Sequence, residues 1–334
     1  MLAYHRRMGW AAAVAVAVLA ATLVLTGAVR RWLGARAILD RPVERSSHSV
    51  PVPRGGGLAI IPVLLGGWGA IAAAGAPTRV LIVMAVAAAL AALSWRDDIG
   101  GLPVPIRLLA HAAAVGVGLA ALPGPIFQGA LPIALDRAAT WLMWLWFVEL
   151  YNFMDGIDGI TAVETIAIGT GVALAVTLAG ATGDGTASLA VAAVAAALGF
   201  LRWNWHPAQI FLGDVGSVPL GYLIGWLLLL LAAKGLWAPA LILPLYYLAD
   251  ASLTLLRRAL SGERIWRAHR AHFYQRALAP DGDHAAVSCL VLAGDAALIA
   301  AALIAVRWPA PGLVLGVVVT AALLWRLEQR AHRA

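Results

Sequence analysis

The sequence predicts an all-α, polytopic membrane protein of about eleven transmembrane helices. Three observations carry that expectation. The 334 residues are 62% hydrophobic and only 12% charged, with a mean hydropathy of +0.85. Apolar runs of about 17 to 25 residues recur along the chain, the length needed to cross about 30 Å of hydrocarbon. The runs do not alternate polar and apolar positions, as the strands of a membrane barrel would.

In order, the runs fall near 9–29, 57–75, 79–95, 106–122, 138–155, 160–180, 186–202, 217–233, 236–256, 285–305 and 311–326. The first follows His5, Arg6 and Arg7 in the manner of a signal peptide. It is long enough to span, however, and Arg30 and Arg31 follow at once, so it reads as a retained helix. The fifth and sixth flank an Asp-Gly-rich motif that interrupts the apolar pattern. Small residues such as Gly66, Gly67 and Gly69 fit close helix packing. No soluble domain, repeat array or low-complexity tail is visible, so residues 1–334 read as a single integral-membrane domain.

Placement of the basic residues sets the expected orientation. With the N-terminus outside and the C-terminus in the cytoplasm, 18 of the 24 Lys and Arg residues fall on cytoplasmic segments. The reverse topology would invert that bias. The net charge of +7 is therefore topological rather than a nucleic-acid footprint, and no nucleic-acid partner is expected. The single cysteine, Cys289, excludes an internal disulfide framework and a cysteine-rich metal site.

Five polar constellations lie on the side drawn as cytoplasmic, and ionisable groups persist near a membrane mostly where they face an interior, a cavity or an ion. SWRDDIGGLP, residues 94–103, sets Asp97 beside Asp98 at a helix end, where two carboxylates stay ionised only near a cation or water. Its bland reading is a solvated helix cap. ELYNFMDGIDGI, residues 149–160, repeats Glu149, Asn152, Asp155 and Asp158 every third residue, so that neighbours share a helical face. Gly156 and Gly159 allow close approach of a ligand or a break in the helix.

PAQIFLGDVGS, residues 207–217, holds Asp214 between glycines just before an apolar run. That residue reads either as an N-cap or as a ligand for a hard cation beside amides that can meet phosphate. RSSHSVPVPRGGG, residues 45–57, combines Arg45, His48 and Arg54 with a glycine turn able to cradle an anion. A basic linker is the plainer alternative. WRAHRAHFYQRA, residues 266–277, spaces His269 and His272 to grip one anion together or to move a proton. A zinc site is disfavoured, because neither an HExxH pattern nor a cysteine partner is present.

Taken in order, RSSHSVPVPRGGG, DDIGGL, NFMDGIDGI, FLGDVGS and HRAHFYQR resemble the polyprenyl-phosphate N-acetylhexosamine-1-phosphate transferase superfamily, over about residues 40–277. The branch that starts O-antigen with N-acetylfucosamine or N-acetylquinovosamine phosphate looks nearest. The peptidoglycan branch carries adjacent histidines where this chain separates His269 from His272.

The resemblance implies a Mg²⁺ enzyme (Mn²⁺ in its place) at the cytoplasmic edge of the bacterial inner membrane. Its substrates would be a UDP-N-acetylated amino sugar and a polyprenyl phosphate such as undecaprenyl phosphate, and a second copy of the chain is a candidate partner. Asp214 would ligate the metal, with Asp97 and Asp98 as the essential acids beside it. Asn152, Asp155 and Asp158 would shape the nucleotide-sugar site, and His269 and His272 would meet its phosphates. His48, Arg54, Gly56 and Arg270 would bind substrate. Glu149 departs from the family, which usually has Asn there. The rival reading is a transporter of an anionic or lipid-linked substrate, which also uses Gly-rich helix breaks and intramembrane acids.

Overall fold

The computed structural model describes residues 2–42, 47, 49–263, 269–278 and 283–333. His48, Arg45, Arg264 and Arg267 lie outside the described residues. The rest is helical almost throughout. In chain order the helices are α1 (Leu2–Ala35), α2 (Gly57–Ala73), α3 (Arg79–Gly100), α4 (Val104–Gly118), α5 (Ile133–Phe153), α6 (Ile160–Leu178) and α7 (Thr186–Asn204). They continue as α8 (Asp214–Ala233), α9 (Trp237–Ile242), α10 (Leu245–Leu260), α11 (Phe273–Arg276), α12 (His284–Arg307) and α13 (Pro309–Arg333). Among the described residues, eight helices are long and apolar enough to cross a membrane. This is a multi-pass, all-α membrane protein.

Each expected apolar run is helical, with two revisions. The run at 236–256 is two helices, because the chain breaks between Ile242 and Leu245 at Pro244, whose ring cannot continue a helical hydrogen-bond ladder. The helix of the fifth run ends at Phe153, not near 155. Asp155 and Asp158 therefore sit in the following loop and do not share a helical face with Glu149 and Asn152. A left-handed Gly159 (φ 81°) starts α6.

The centre of the bundle is α8, whose hydrophobic window is completely enclosed by protein. Trp144 of α5 stacks on Tyr222 of α8 with ring centroids 4.7 Å apart, and its indole N–H donates to the Tyr222 carbonyl. The starts of α2 and α8 touch backbone to backbone at Gly57 and Gly216, where a side chain would collide. That contact places Arg54 beside Asp214.

Polar contacts collect at the two ends of the bundle. At one end, Asp184 takes Lys234 at 2.7 Å and Arg79 at 3.7 Å, tying α3, α7 and α8 together. Burial would raise the Asp184 pKa, but the hydrogen bonds from Lys234 and Thr186 outweigh it and hold the group below its usual value. The other end carries the sequence motifs.

Candidate active site

Three acids and two arginines interlock where α3, α4 and α8 meet the loop before α2. Arg54 lies 2.7 Å from Asp98 and 3.0 Å from Asp214. Arg107 lies 2.9 Å from Asp97 and 3.6 Å from the other oxygen of Asp214. The alternation of charges is what allows three carboxylates to sit together at a membrane edge. Burial opposes the charge on Arg54, but Asp98 and Asp214 overcome it and raise its pKa.

The adjacent aspartates do different work. Asp98 is almost wholly enclosed and accepts the amides of Asp214 and Val215 at 3.2 and 2.9 Å, so it caps α8 from another helix. Such a cap is worth about 1 kcal/mol. Asp97 accepts the Leu102 amide and faces Arg107. Asp214 is the most open of the three, its side chain 20% exposed.

The acids open into a cleft of about 290 Å³ lined by Asp97, Arg107, His111, Glu149, Asn152 and Asp214, with Trp146 on its wall. Asn152 accepts a hydrogen bond from Ser217 of α8. Asp155 lies close by and accepts from Thr161. Burial pushes its pKa up to about 7; the Thr161 bond opposes this and the charge of Asp214 adds to it.

Asp158 is drawn elsewhere. Its carboxylate meets His206 at 2.6 Å, the Ala208 amide at 3.0 Å and His284 at 3.1 Å. Burial would raise its pKa, yet the hydrogen bonds from His284 and His206 hold it below the usual carboxylate value. One carboxylate oxygen and one nitrogen from each imidazole lie within 4.8 Å of one another, a spacing seen in metal sites. Here His284 is already engaged: Nδ1 faces the Asp158 carboxylate and Nε2 donates to the Ser47 carbonyl. The cluster is a latch joining the α5–α6 loop, the α7–α8 loop and α12.

His272 and His269 stack with ring centroids 4.8 Å apart, but they are unequal. His272 is buried, 3.2 Å from Asp250 of α10. His269 is half-exposed, and burial together with His272 lowers its pKa to about 4, so it is neutral at pH 7. In this state the pair carries no double positive charge for phosphates. Arg270 is exposed. The Gly56 amide already donates to the Phe211 carbonyl at 2.8 Å, so it is not open to an anion here. The sequence reading passed over Arg107, His111, His206, Asp250 and His284. The available signal was an ionisable residue inside or beside an apolar run, as at His111 and Asp250.

The pattern of glycosyl transferase family 4 matches residues 80–232, which hold α3 to α8 and most of these acids. Over that stretch, a little under half of its length, the chain is similar to that family. Across 272 residues it is 29% identical to a Bacillus subtilis protein named probable undecaprenyl-phosphate N-acetylglucosaminyl 1-phosphate transferase, covering 77% of this chain and 74% of the relative. It is 29% identical over 228 residues to a Mycobacterium tuberculosis decaprenyl-phosphate N-acetylglucosaminephosphotransferase, covering 61% of this chain and 56% of that one. A Heliobacterium modesticaldum phospho-N-acetylmuramoyl-pentapeptide-transferase is 35% identical over 129 residues, 37% of this chain and 38% of the relative. By name these relatives are transferases of sugar phosphates or of phospho-N-acetylmuramoyl-pentapeptide, so the cleft is the candidate centre of a phosphotransfer enzyme.

Proposed function

We propose that this protein transfers an N-acetylated amino-sugar phosphate from a UDP-sugar to a polyprenyl phosphate at the cytoplasmic face of the bacterial inner membrane. The product would start a lipid-linked surface glycan such as O-antigen. One observation carries the reading: the Asp97–Arg107–Asp214–Arg54–Asp98 cluster opens into a cleft whose wall, Trp146, also lines an apolar groove of about 540 Å³. That groove runs past Met143, Phe147 and Leu229 to Phe127 and suits a prenyl tail. A headgroup at Trp146 would then lie beside the arginines.

The donor set suits Mg²⁺ in kind, since Asp214 and Asp97 offer hard carboxylate oxygens; Arg54 and Arg107 engage them here and would turn to the substrate phosphates when the ion binds. One or two carboxylates suffice, because Mg²⁺ keeps much of its water shell and shares substrate phosphates. Bound by Asp214 with Asp97, Mg²⁺ or Mn²⁺ would neutralise phosphate charge. Arg54 and Arg107 hold the two anionic substrates together by charge and direction. Asn152 and Asp155 border the donor. An oxygen of the lipid phosphate bonds to the sugar-bearing phosphorus, the bond from that phosphorus to the bridging oxygen breaks, and UMP departs.

The break at Pro244 together with the enclosed Glu164 and Asp295 favours a transporter as the second reading. The deciding test is UMP release in detergent from undecaprenyl phosphate and a panel of UDP-N-acetylhexosamines, with and without EDTA. Lipid-dependent, EDTA-sensitive release supports transfer. Folded protein that releases no UMP with any donor, yet moves a lipid-linked substrate across vesicles, sinks it.

A further inference from the structure

His111 of α4 and Glu149 of α5 form an imidazole–carboxylate pair, 2.6 Å between Nδ1 and Oε1. Both line the cleft that holds Asp97, Arg107 and Asp214. Glu149 stands one helical turn from Trp146 and one turn from Asn152 on α5, so this face of α5 runs from the apolar groove to the acids. Nδ1 is engaged by Glu149, and among the described residues no protein group bonds Nε2.

A glutamate in a cleft that must accept phosphate is electrostatically costly unless a cation or proton accompanies it. With Nδ1–H donated to Glu149 the pair carries one negative charge and an open Nε2, and a proton taken up there makes it neutral. The other charged groups around it are Arg107, one turn earlier on α4, Asp97 at the end of α3 and Asp214 at the start of α8; α10 contributes only the apolar Leu255. A phosphate monoester loses its second proton near pH 6 in water. The carboxylates of the cleft hold that proton more tightly while Arg54 and Arg107 ease its loss, so the phosphate still protonated at neutral pH reacts only after giving it up. The nucleophile needs a base on the lipid side of the cleft.

We propose that His111, oriented by Glu149, accepts the proton of the polyprenyl phosphate as that phosphate attacks. The proton on a phosphate oxygen passes to Nε2, and that oxygen forms the new bond to the sugar-bearing phosphorus. UMP leaves with the electrons of the broken phosphorus–oxygen bond, and the imidazolium returns its proton to water. This role rests on the transfer reading above.

The experiment compares pH–rate profiles of wild type, His111→Gln and Glu149→Gln, fitting kcat/KM separately for undecaprenyl phosphate and for the UDP-sugar that wild type uses. A positioned base contributes about 10²–10⁴-fold. His111→Gln is expected to lose about 10²-fold near pH 6.5, and the deficit shrinks towards pH ~8.5, where the phosphate is already a dianion. KM for the UDP-sugar stays unchanged. Glu149→Gln loses less than His111→Gln and only in kcat/KM for the lipid, because an amide oxygen can still accept from Nδ1–H and orient the ring. A deficit equal at every pH, or a raised UDP-sugar KM with lipid kinetics intact, overturns the role. Wild type that shows no lipid-dependent UMP release removes the transfer reading, and this role with it.

Discussion

The Asp250–His272 and Glu149–His111 pairs use the same two functional groups, 3.2 and 2.6 Å apart, at the same end of the bundle. Their surroundings differ. Asp250 is fully enclosed and also accepts the amides of Phe273 and Tyr274 at 3.0 and 3.1 Å, with Tyr246 and Thr254 hydroxyls beside it. Every lone pair there is committed to folding the 269–278 segment onto α10, and Arg276 pins that segment to Glu328 of α13. Glu149 receives one bond and borders a cavity. A polar pair whose valences are saturated by backbone acts as a joint, whereas one with a valence left over beside open volume can meet a ligand.

Substitutions can break that contrast, beginning with the acids of the cleft. Asp214→Ala should lower turnover by at least about 10³-fold, as removal of a main electrostatic contact to transferring phosphates does. Its size-exclusion profile and thermal midpoint should stay near wild type, because Asp98 and not Asp214 caps α8. Wild-type-like turnover would remove Asp214 from the site.

Asp250→Ala should behave in the opposite way. Leaving His272 and two amides without their acceptor costs about 3–5 kcal/mol of stability. Activity should then fall only as the folded fraction falls. Normal thermal unfolding with lost turnover would move Asp250 from joint to site.

Asp155 should couple the two properties through pH. Its raised pKa favours the protonated form in the fold, so its stability contribution is complete below the ordinary carboxylate value and is lost as pH rises through about 7. Activity that requires the ionised form should rise across the same window. Asp155→Asn should flatten the thermal-midpoint slope, and an unchanged slope would assign it to other groups.

The smallest effect belongs to the far end of the bundle. Lys234→Ala should cost about 1 kcal/mol or less and leave turnover intact, since Asp184 keeps Arg79 and Thr186. A large loss of activity would show coupling across the membrane.

Glu164 and Asp295 teach the same lesson from the interior. In sequence they are single acids in two distant apolar runs, and in the fold both are enclosed where α6 packs on α12, with their carboxyl groups against each other. Nothing in either run announces the other. Asp98 is a further case: beside Asp97 it reads as a twin, and only the approach of α8 makes it a cap.

The sequence alone determined the helical class, the positions of the apolar runs and the gathering of motifs at one membrane edge. Hydrophobic length and periodicity are local quantities, and lipid forces each run to satisfy its own backbone. It also carried the family resemblance, because the motif residues stand in order along the chain. Only the tertiary structure decided which carboxylate caps, which latches, which faces the cleft, and that His111 meets Glu149 across 38 positions. Those assignments depend on which hydrogen-bond valences the neighbouring helices leave unfilled, and contacts between distant segments set that.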